Sequence, residues 1–195
     1  MITIVEDFYS PEDLGIMSLY FMNTPFLESY HSKEWQVSNR LQAYPVHESA
    51  QIPKSDDPRS AYQIFKRTLE YKTNLKPLYI KTLLRKIKLS ELKESAVFKN
   101  DRPHMDDETF NYAGLVYFNS NSIKDGTKLY SDERDFEPTL IVGARVNRLV
   151  LYNTQQPHST PMDQHVEERW VQPVFLITEK ETLNKYNSFI NKDLK

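Results

Sequence analysis

The second half of the chain alternates short apolar runs with turn-forming residues. Strands are predicted at residues 112–119, 127–130, 140–142, 148–153 and 170–178, with a turn at 124–126 and an acidic loop ending at Pro138. No amphipathic helical pattern interrupts them, and this arrangement is typical of a sandwich or barrel rather than a parallel sheet. The expected fold class is therefore mainly β, with α+β character.

Two helices are predicted before residue 78, each by a capping residue followed by proline. Ser10 precedes Pro11 at the start of a helix over residues 11–22, and Asp57 precedes Pro58 at the start of a helix over residues 58–74. Their apolar positions keep helical spacing. The expected buried residues are Leu14, Met17 and Tyr20 or Phe21 in the first helix, and Ala61, Ile64, Phe65, Thr68 and Leu69 in the second.

The remaining segments give weaker patterns. Residues 2–5 read as a short strand, residues 34–46 favour a strand that Pro45 places at an edge or an end, and residues 46–58 read as a loop. Residues 78–89 alternate imperfectly and are assigned to one long strand. The last fifteen residues are polar enough for a surface helix or tail.

Composition narrows the possible chemistry. A length of 195 residues suits a single domain, 1–195, in which a helical support region at about 1–76 precedes a β core at about 78–180. With no cysteine, a transition metal would have to be bound by imidazole and carboxylate groups. A net charge of -2 predicts no strong general attraction to nucleic acid or to an anionic membrane.

The chain start carries acids where a signal peptide needs basic residues, and no segment approaches membrane-spanning length. We expect a soluble cytoplasmic protein. The charge is uneven, however, since residues 66–88 carry eight Lys or Arg against the single acid Glu70. This stretch suits either a nucleic acid or acidic partner, or a solvated helix face followed by an edge strand that lysines protect; the second interpretation is preferred.

A candidate metal-binding pair stands directly before the apolar run at 112–119. In an extended segment the side chains of His104 and Asp106 leave the same face, so both can reach one ion. A third ligand would come from His158 or from His165, whereas His31 and His47 are expected to be ordinary surface or hydrogen-bonded histidines. Two histidines and one carboxylate on one face of a metal leave three open positions, as in non-haem Fe(II) oxygenases.

These residues, in this order, resemble a known family. His104-x-Asp106, then His158, then Arg169 is similar to the Fe(II)- and 2-oxoglutarate-dependent dioxygenase superfamily, and to its prolyl-hydroxylase-like branch in particular. The tripeptide Tyr117-Phe118-Asn119, the pair Gly126-Thr127 followed by Leu129, and the opening residues 5–14 carry the same resemblance. The eleven-residue step from His158 to Arg169 also resembles the family and favours His158 over His165.

The resemblance implies a double-stranded β-helix, or cupin-like jelly roll, backed by N-terminal helices. It implies Fe(II) on His104, Asp106 and His158, and 2-oxoglutarate and O2 as co-substrates, with Arg169 and Tyr117 holding the far carboxylate and Thr127 as a further cofactor-binding residue. The implied activity is hydroxylation of a C–H bond in a small-molecule or peptidyl substrate, prolyl in the first place. Alternatives are a silent binding module, a zinc hydrolase with the same ligands, and a nucleic-acid oxygenase that docks through residues 66–88.

Strand parity gives a separate expectation. If Arg169 and Tyr117 point into the barrel, their neighbours at i±1 must point out of it. The inward set is then Leu115, Tyr117, Asn119, Arg169, Val171 and Pro173, and the outward set is Val116, Phe118, Trp170 and Gln172. Leu115, Leu149 or Leu151 is expected to line the co-substrate pocket.

Overall fold

The computed structural model describes residues 2–29, 46–94, 103–163 and 165–193. His31 and the strand-like stretch at 34–45 lie outside these residues. The strands are β1 Ile2–Val5, β2 Leu27–Ser29, β3 Val46–Glu48, β4 Tyr79–Thr82, β5 Arg85–Lys88, β6 Tyr112–Tyr117, β7 Ser122–Leu129, β8 Leu140–Ala144, β9 Leu149–Asn153, β10 His158–Ser159 and β11 Glu168–Ile177. The helices are α1 Pro11–Asn23, α2 Ala61–Thr73, α3 Leu89–Glu94 and α4 Lys180–Asp193.

The strands form two antiparallel sheets. The larger has eight strands in the order β1-β9-β6-β11-β5-β3-β2, with β4 also paired to β11, and the smaller has the order β10-β7-β8. The sheets face each other, because residues of β6, β9 and β11 share one buried cluster with residues of β7 and β8. The mainly β, antiparallel fold predicted from the sequence is confirmed.

Among the described residues, two large core clusters lie on the two faces of the larger sheet, and a small third cluster contains Ile87, Leu89 and Met162. Helices α1 and α2 cover the outer face through Met17, Phe21, Ile64, Phe65 and Leu69, which pack with sheet residues such as Val116, Leu151 and Val174. The inner core lies between the sheets and contains Ala113, Leu115, Tyr117, Leu129, Val142, Ala144, Val150, Tyr152 and Val171. The expected helical backing of the sheet is therefore present.

Alternation along β6 and β11 separates the two cores. Tyr117 and Val171 lie in the inner core, whereas Val116 and Phe118 pack in the outer core with Trp170 against them. Tyr117 and Val171 are also register partners across the two strands. The parity expectation for these residues is confirmed.

Helix α1 forms as its sequence predicts. The Ser10 hydroxyl accepts a hydrogen bond of 3.1 Å from the Asp13 amide, and Met17 and Phe21 are fully buried. The Phe21 ring stacks on Trp170 with centroids 5.0 Å apart and planes 6° apart. This pair fixes α1 to the outer face of the sheet.

Helix α2 begins later than predicted. Its N-cap is Ser60, whose hydroxyl accepts from the Gln63 amide at 3.2 Å, while the Asp57 carbonyl accepts from the Ser60 amide in a turn before the helix. Asp57 thus caps the preceding turn, in which its carboxylate accepts from the Arg59 amide. The predicted apolar stripe of α2 is buried.

The long strand predicted at 78–89 is divided into β4 and β5. Both pair with β11, β4 along Val174–Ile177 and β5 along Glu168–Val171, and Pro173 lies between these segments. Proline has no N–H to donate, so the pairing with β4 and β5 is interrupted there, whereas the pairing with β6 continues through Pro173 and Leu115. The lysine-bearing β5 is not the expected edge strand, since it lies between β11 and β3.

The turn predicted at 124–126 is also wrong. Strand β7 runs through these residues, with a register irregularity against β8 between Ser122 and Gly126. Gly126 has φ 144°, a conformation that side chains disfavour, and it lies between the buried residues Asp125 and Thr127. The chain instead turns between β6 and β7.

The last fifteen residues were expected to form a surface helix or a tail, and residues of this segment belong to helix α4. Throughout the described ranges, no helix combines the length and the apolar character that crossing a membrane would require.

Replacing Phe21 by Ala tests the packing of α1 on the sheet. Phe21 is fully buried against Trp170, so Phe21→Ala should lower the free energy of unfolding by about 3–5 kcal/mol. Leu19 on the same helix is 57% exposed, and Leu19→Ala should change it by about 0.5 kcal/mol or less. Urea denaturation measures both, and equal losses in the two variants would contradict this packing.

Candidate metal centre and co-substrate pocket

His104 and His158 are joined through their backbones. Each amide donates to the carbonyl oxygen of the other residue, at 2.9 Å in both directions, which makes an isolated antiparallel bridge. Residues paired in this way project their side chains from the same face of a sheet. The two imidazole rings accordingly lie with their centroids 4.4 Å apart.

Asp106 completes a group of three. Its amide donates to the Thr154 carbonyl at 2.9 Å, and its Oδ2 lies 3.4 Å from Nε2 of His158. One ligand atom from each of His104, Asp106 and His158 lies within 4.8 Å of the others. His165 is exposed and stands outside this group, with its amide bonded to Asp163. Of the two alternatives for the third ligand, the structure thus brings His158 to the pair.

The His158 imidazole is held in the form that binds metals. Its Nδ1 lies 3.0 Å from the Gln156 carbonyl oxygen, which can only accept, so Nδ1 carries the proton and Nε2 keeps its lone pair. Burial lowers the pKa of His158 to about 4, an effect that the hydrogen bond to Gln156 partly opposes. The 3.4 Å contact with Asp106 is therefore not an ion pair at neutral pH.

Burial also raises the pKa of Asp106, against the opposing charges of His104 and Arg85. Arg85 is itself held by Glu48, whose carboxylate accepts from Nε at 2.7 Å. The Tyr152 ring packs on His158 with centroids 4.5 Å apart, and burial raises the pKa of its hydroxyl well above the usual value. A neutral phenol thus covers one side of the group. Sequence reasoning gave Arg85 and Tyr152 no role beside the metal ligands.

Arg169 is buried at the inner face of β11 and already has a carboxylate partner. Its NH1 donates to Oδ1 of Asp125 at 2.7 Å and to the Pro161 carbonyl at 2.7 Å, and NH2 donates to the Thr160 carbonyl at 3.2 Å. Arg169 is 2% exposed and Asp125 is fully buried. Nε of Arg169 and Oδ2 of Asp125 have no hydrogen-bond partner among the described residues.

Tyr117 and Thr127 lie beside this ion pair. Their hydroxyl groups share a hydrogen bond of 2.8 Å, and both residues are fully buried. Burial raises the pKa of Tyr117 to about 12, while the nearby charge of Arg169 lowers it and that of Asp125 raises it. Arg169, Tyr117 and Thr127, the three predicted co-substrate residues, therefore form one polar cluster with Asp125, a residue of the segment predicted to be a turn.

Asp125 lies on the inner face of β7. Asp125, Thr127 and Leu129 alternate and are all fully buried, and Leu129 pairs in register with His158. The face thus leads from the metal ligands to the ion pair. Of the leucines expected to line the pocket, Leu115 lies in the inner core, but Leu149 and Leu151 pack in the outer core because Val150 and Tyr152 take the inward positions of β9.

The basic stretch at 66–88 is distributed over several elements. Arg67 pairs with Asp13, Lys66 with Glu70 and Lys88 with Glu91. Lys81 lies over the ring of Phe110, and Lys86 lies over Phe26 and Trp170. Several of these cations are thus already engaged by acids or aromatic rings of the same chain.

Comparison with known proteins gives a result at the level of structure. No protein-family model matches the sequence, and no curated protein matches it either. A 2OG-Fe(II) oxygenase family oxidoreductase from Burkholderia pseudomallei superposes with a TM-score of 0.60 at 7% identity, covering 91% of this chain and 86% of that one. The fold is that of the 2OG-Fe(II) oxygenases.

Two other solved structures give the same likeness. A prolyl hydroxylase from Trichoplax adhaerens, in complex with a hypoxia inducible factor peptide fragment, matches at TM-score 0.60 and 15% identity, over 93% of this chain and 86% of that one. The epimerase SnoN from nogalamycin biosynthesis matches at TM-score 0.53 and 11% identity, over 90% and 76%. A second SnoN structure holds Fe3+, alpha ketoglutarate and nogalamycin RO. The predicted jelly-roll fold is confirmed. The similar structures include a hydroxylase and an epimerase, so the fold by itself does not determine which of these reactions is catalysed.

The donor set at the triad suits a single iron ion. Two imidazoles and a carboxylate are ligands that non-haem Fe(II) sites use, and the group has the compactness that one ion requires. Arg169, the residue expected to anchor the far carboxylate of a co-substrate, is less well suited to that role, because the Asp125 carboxylate already neutralises its charge.

His158→Ala tests the third ligand. Mn²⁺ or anaerobic Fe²⁺ should raise the melting temperature of the wild-type protein, since a ligand at about 100 times its Kd adds about 2.7 kcal/mol to the free energy of unfolding. In His158→Ala this metal-dependent rise should be lost, measured against the same variant without metal. His165→Ala is the matched control and should keep the rise; the opposite result would assign the ligand to His165.

A double-mutant cycle tests the buried ion pair. Arg169→Met leaves Asp125 as an uncompensated buried charge and should cost about 3–5 kcal/mol of unfolding free energy. Adding Asp125→Leu removes that charge and should recover most of the loss. Urea denaturation of Arg169→Met, Asp125→Leu and the double variant measures the coupling, and a double loss equal to the sum of the two single losses would show that the two side chains do not stabilise each other.

Proposed function

We propose that the protein is an Fe(II)-dependent oxygenase that uses a 2-oxo acid as co-substrate and hydroxylates a C–H bond of a second substrate. The observation that carries this proposal is the grouping of His104, Asp106 and His158 on one face, at one end of the inner face of β7. Such a triad leaves the opposite face of a metal open for further ligands. 2-Oxoglutarate is the co-substrate that the likeness of the fold puts first.

The chain's own residues prepare this site. The double hydrogen bond between His104 and His158 holds two ligands at a fixed separation, and the bond from His158 to Gln156 sets the tautomer. The Tyr152 ring and the inner core exclude water on one side. The hydroxyl groups of Tyr117 and Thr127 share a hydrogen bond beside Arg169, the residue expected to anchor a co-substrate tail.

The reaction balances without any further redox partner. When bound, Fe(II) and a 2-oxo acid together supply the activation of dioxygen. One oxygen atom enters the C–H bond as a hydroxyl group, the other enters the carboxylate made from the 2-oxo acid, and carbon dioxide leaves. The residues named above hold the reactants in place, whereas the electrons that reduce dioxygen come in equal parts from the oxidative decarboxylation of the 2-oxo acid and from the C–H bond of the substrate.

The substrate class follows from the fold only in outline. The similar structures include a prolyl hydroxylase with a bound peptide fragment and an epimerase from nogalamycin biosynthesis, so the proposed substrate is either a peptidyl residue or a small metabolite. Within the described residues, the intramolecular pairing of several cations at 66–88 weakens the nucleic-acid alternative.

Anaerobic spectroscopy and oxygen consumption test the proposal. Fe²⁺ with 2-oxoglutarate, and in parallel Fe²⁺ with 2-oxopentanoate, should be added under argon; at least one acid should give a visible charge-transfer band. Admission of oxygen should then consume O2 and release CO2. His104→Ala removes a ligand and should abolish the band and the turnover, while His165→Ala should retain both.

A colourless protein that releases no CO2 with either acid would contradict the oxygenase proposal and favour a silent jelly-roll module. Tight Zn²⁺ binding with hydrolysis but no oxygen consumption would favour a zinc hydrolase instead. A mass increase of 16 Da in a peptide or metabolite mixture would identify the hydroxylated substrate.

A further inference from the structure

The ion pair between Arg169 and Asp125 lies in a fully enclosed part of the inner core. The two side chains are 2% and 0% exposed, and their closest atoms are 2.7 Å apart. Neighbouring inner-core residues such as Val142 and Val171 are apolar. In such surroundings the attraction of a guanidinium for one carboxylate is much less screened than in water.

The Arg169 guanidinium has few N–H groups left to donate to a ligand. NH1 donates to both Asp125 and the Pro161 carbonyl, and NH2 donates to the Thr160 carbonyl. Nε has no hydrogen-bond partner among the described residues. A second carboxylate could therefore reach Nε, but it would meet a cation that Asp125 has already neutralised.

Asp125 is also poorly placed to tolerate a second anion. Its Oδ2 is buried without a donor, so no hydrogen bond from the described residues offsets its charge on that side. Two carboxylates that share one buried cation repel each other, because the cluster as a whole then carries a negative charge. A tail without charge meets no such repulsion, and the hydroxyl groups of Tyr117 and Thr127 lie beside it.

We infer that Asp125 is a specificity-determining residue: it occupies from within the chain the position at Arg169 that the far carboxylate of 2-oxoglutarate would need, and selects a 2-oxo acid with an uncharged tail. The inference rests on the proposed function, since it concerns the co-substrate of that same site. Asp125 would determine which 2-oxo acid the site prefers, while the proposed metal ligands stay the same.

Two 2-oxo acids of equal chain length test whether the site prefers an uncharged tail or a charged one. 2-Oxoglutarate and 2-oxopentanoate differ only in the far carboxylate, and calorimetric titration into the Mn²⁺-loaded protein measures their affinities without turnover. The wild-type protein should bind 2-oxopentanoate at least as tightly as 2-oxoglutarate. Asp125→Asn keeps an oxygen that can accept from NH1 of Arg169 but removes the charge, so 2-oxoglutarate should bind about tenfold more tightly or better, with 2-oxopentanoate little changed.

Asp163→Asn is the matched control. Asp163 accepts hydrogen bonds from Ser122 and from the His165 amide, and the same change of charge there should leave both affinities unchanged. A wild-type protein that prefers 2-oxoglutarate to 2-oxopentanoate would overturn the inference, and so would a folded Asp125→Asn variant that binds 2-oxoglutarate no more tightly than the wild-type protein. The wild-type ratio decides the matter even if Asp125→Asn fails to fold.

Failure of the proposed function looks different. If the Mn²⁺-loaded wild-type protein and Asp125→Asn both bind neither acid, the oxygenase proposal falls and this inference falls with it. If both acids bind and 2-oxoglutarate is preferred in the wild-type protein, the oxygenase proposal stands and only the role of Asp125 is refuted.

Discussion

The two-residue alternation of β11 is the constraint on which the site and the core both depend. On one side of the strand, Val171 and Arg169 face the second sheet; on the other, Trp170 packs against α1. Because successive side chains of a strand leave opposite faces, one strand contributes to both layers. A shift of one residue in its register would bury Trp170 between the sheets and expel Arg169, so packing and chemistry are fixed together.

The metal ligands depend on a second constraint, the pair of backbone hydrogen bonds between His104 and His158. His104 comes before β6 and His158 lies in the smaller sheet, yet their amides and carbonyls bond directly. Side-chain positions at a metal site are held more accurately when the backbone is itself hydrogen-bonded, since the loop has fewer conformations to lose. The Gln156 carbonyl then accepts from Nδ1 of His158. The backbone bonds to His104 thus fix the position of His158, and the bond to Gln156 fixes the position of its ring proton.

Much of this arrangement could be predicted from the sequence, because it follows from short-range patterns. The stripe of α1, the alternation of β6 and the spacing of His104 and Asp106 are all local. The division of residues 78–89 was not predictable in this way, since the proline that interrupts the pairing is far along the chain; the Thr82 hydroxyl bonds to its carbonyl across 91 positions. Likewise Lys124-Asp125-Gly126 has the composition of a turn, and only pairing with β8 and Arg169 shows Asp125 to be inside a strand.

The buried ion pair is not explained by stability alone. Two charges taken out of water gain from their attraction roughly what they lose in solvation, and apolar side chains of similar volume often stabilise as well or better. Within the described part of the chain, Nε of Arg169 and Oδ2 of Asp125 also have no hydrogen-bond partner, which a purely structural pair would be expected to avoid. Asp125 lies on the same face of β7 as Thr127 and Leu129, and Leu129 pairs with His158, so this face has a metal end and a neutralised end. A ligand that spans both ends would need an acidic group at the first and none at the second.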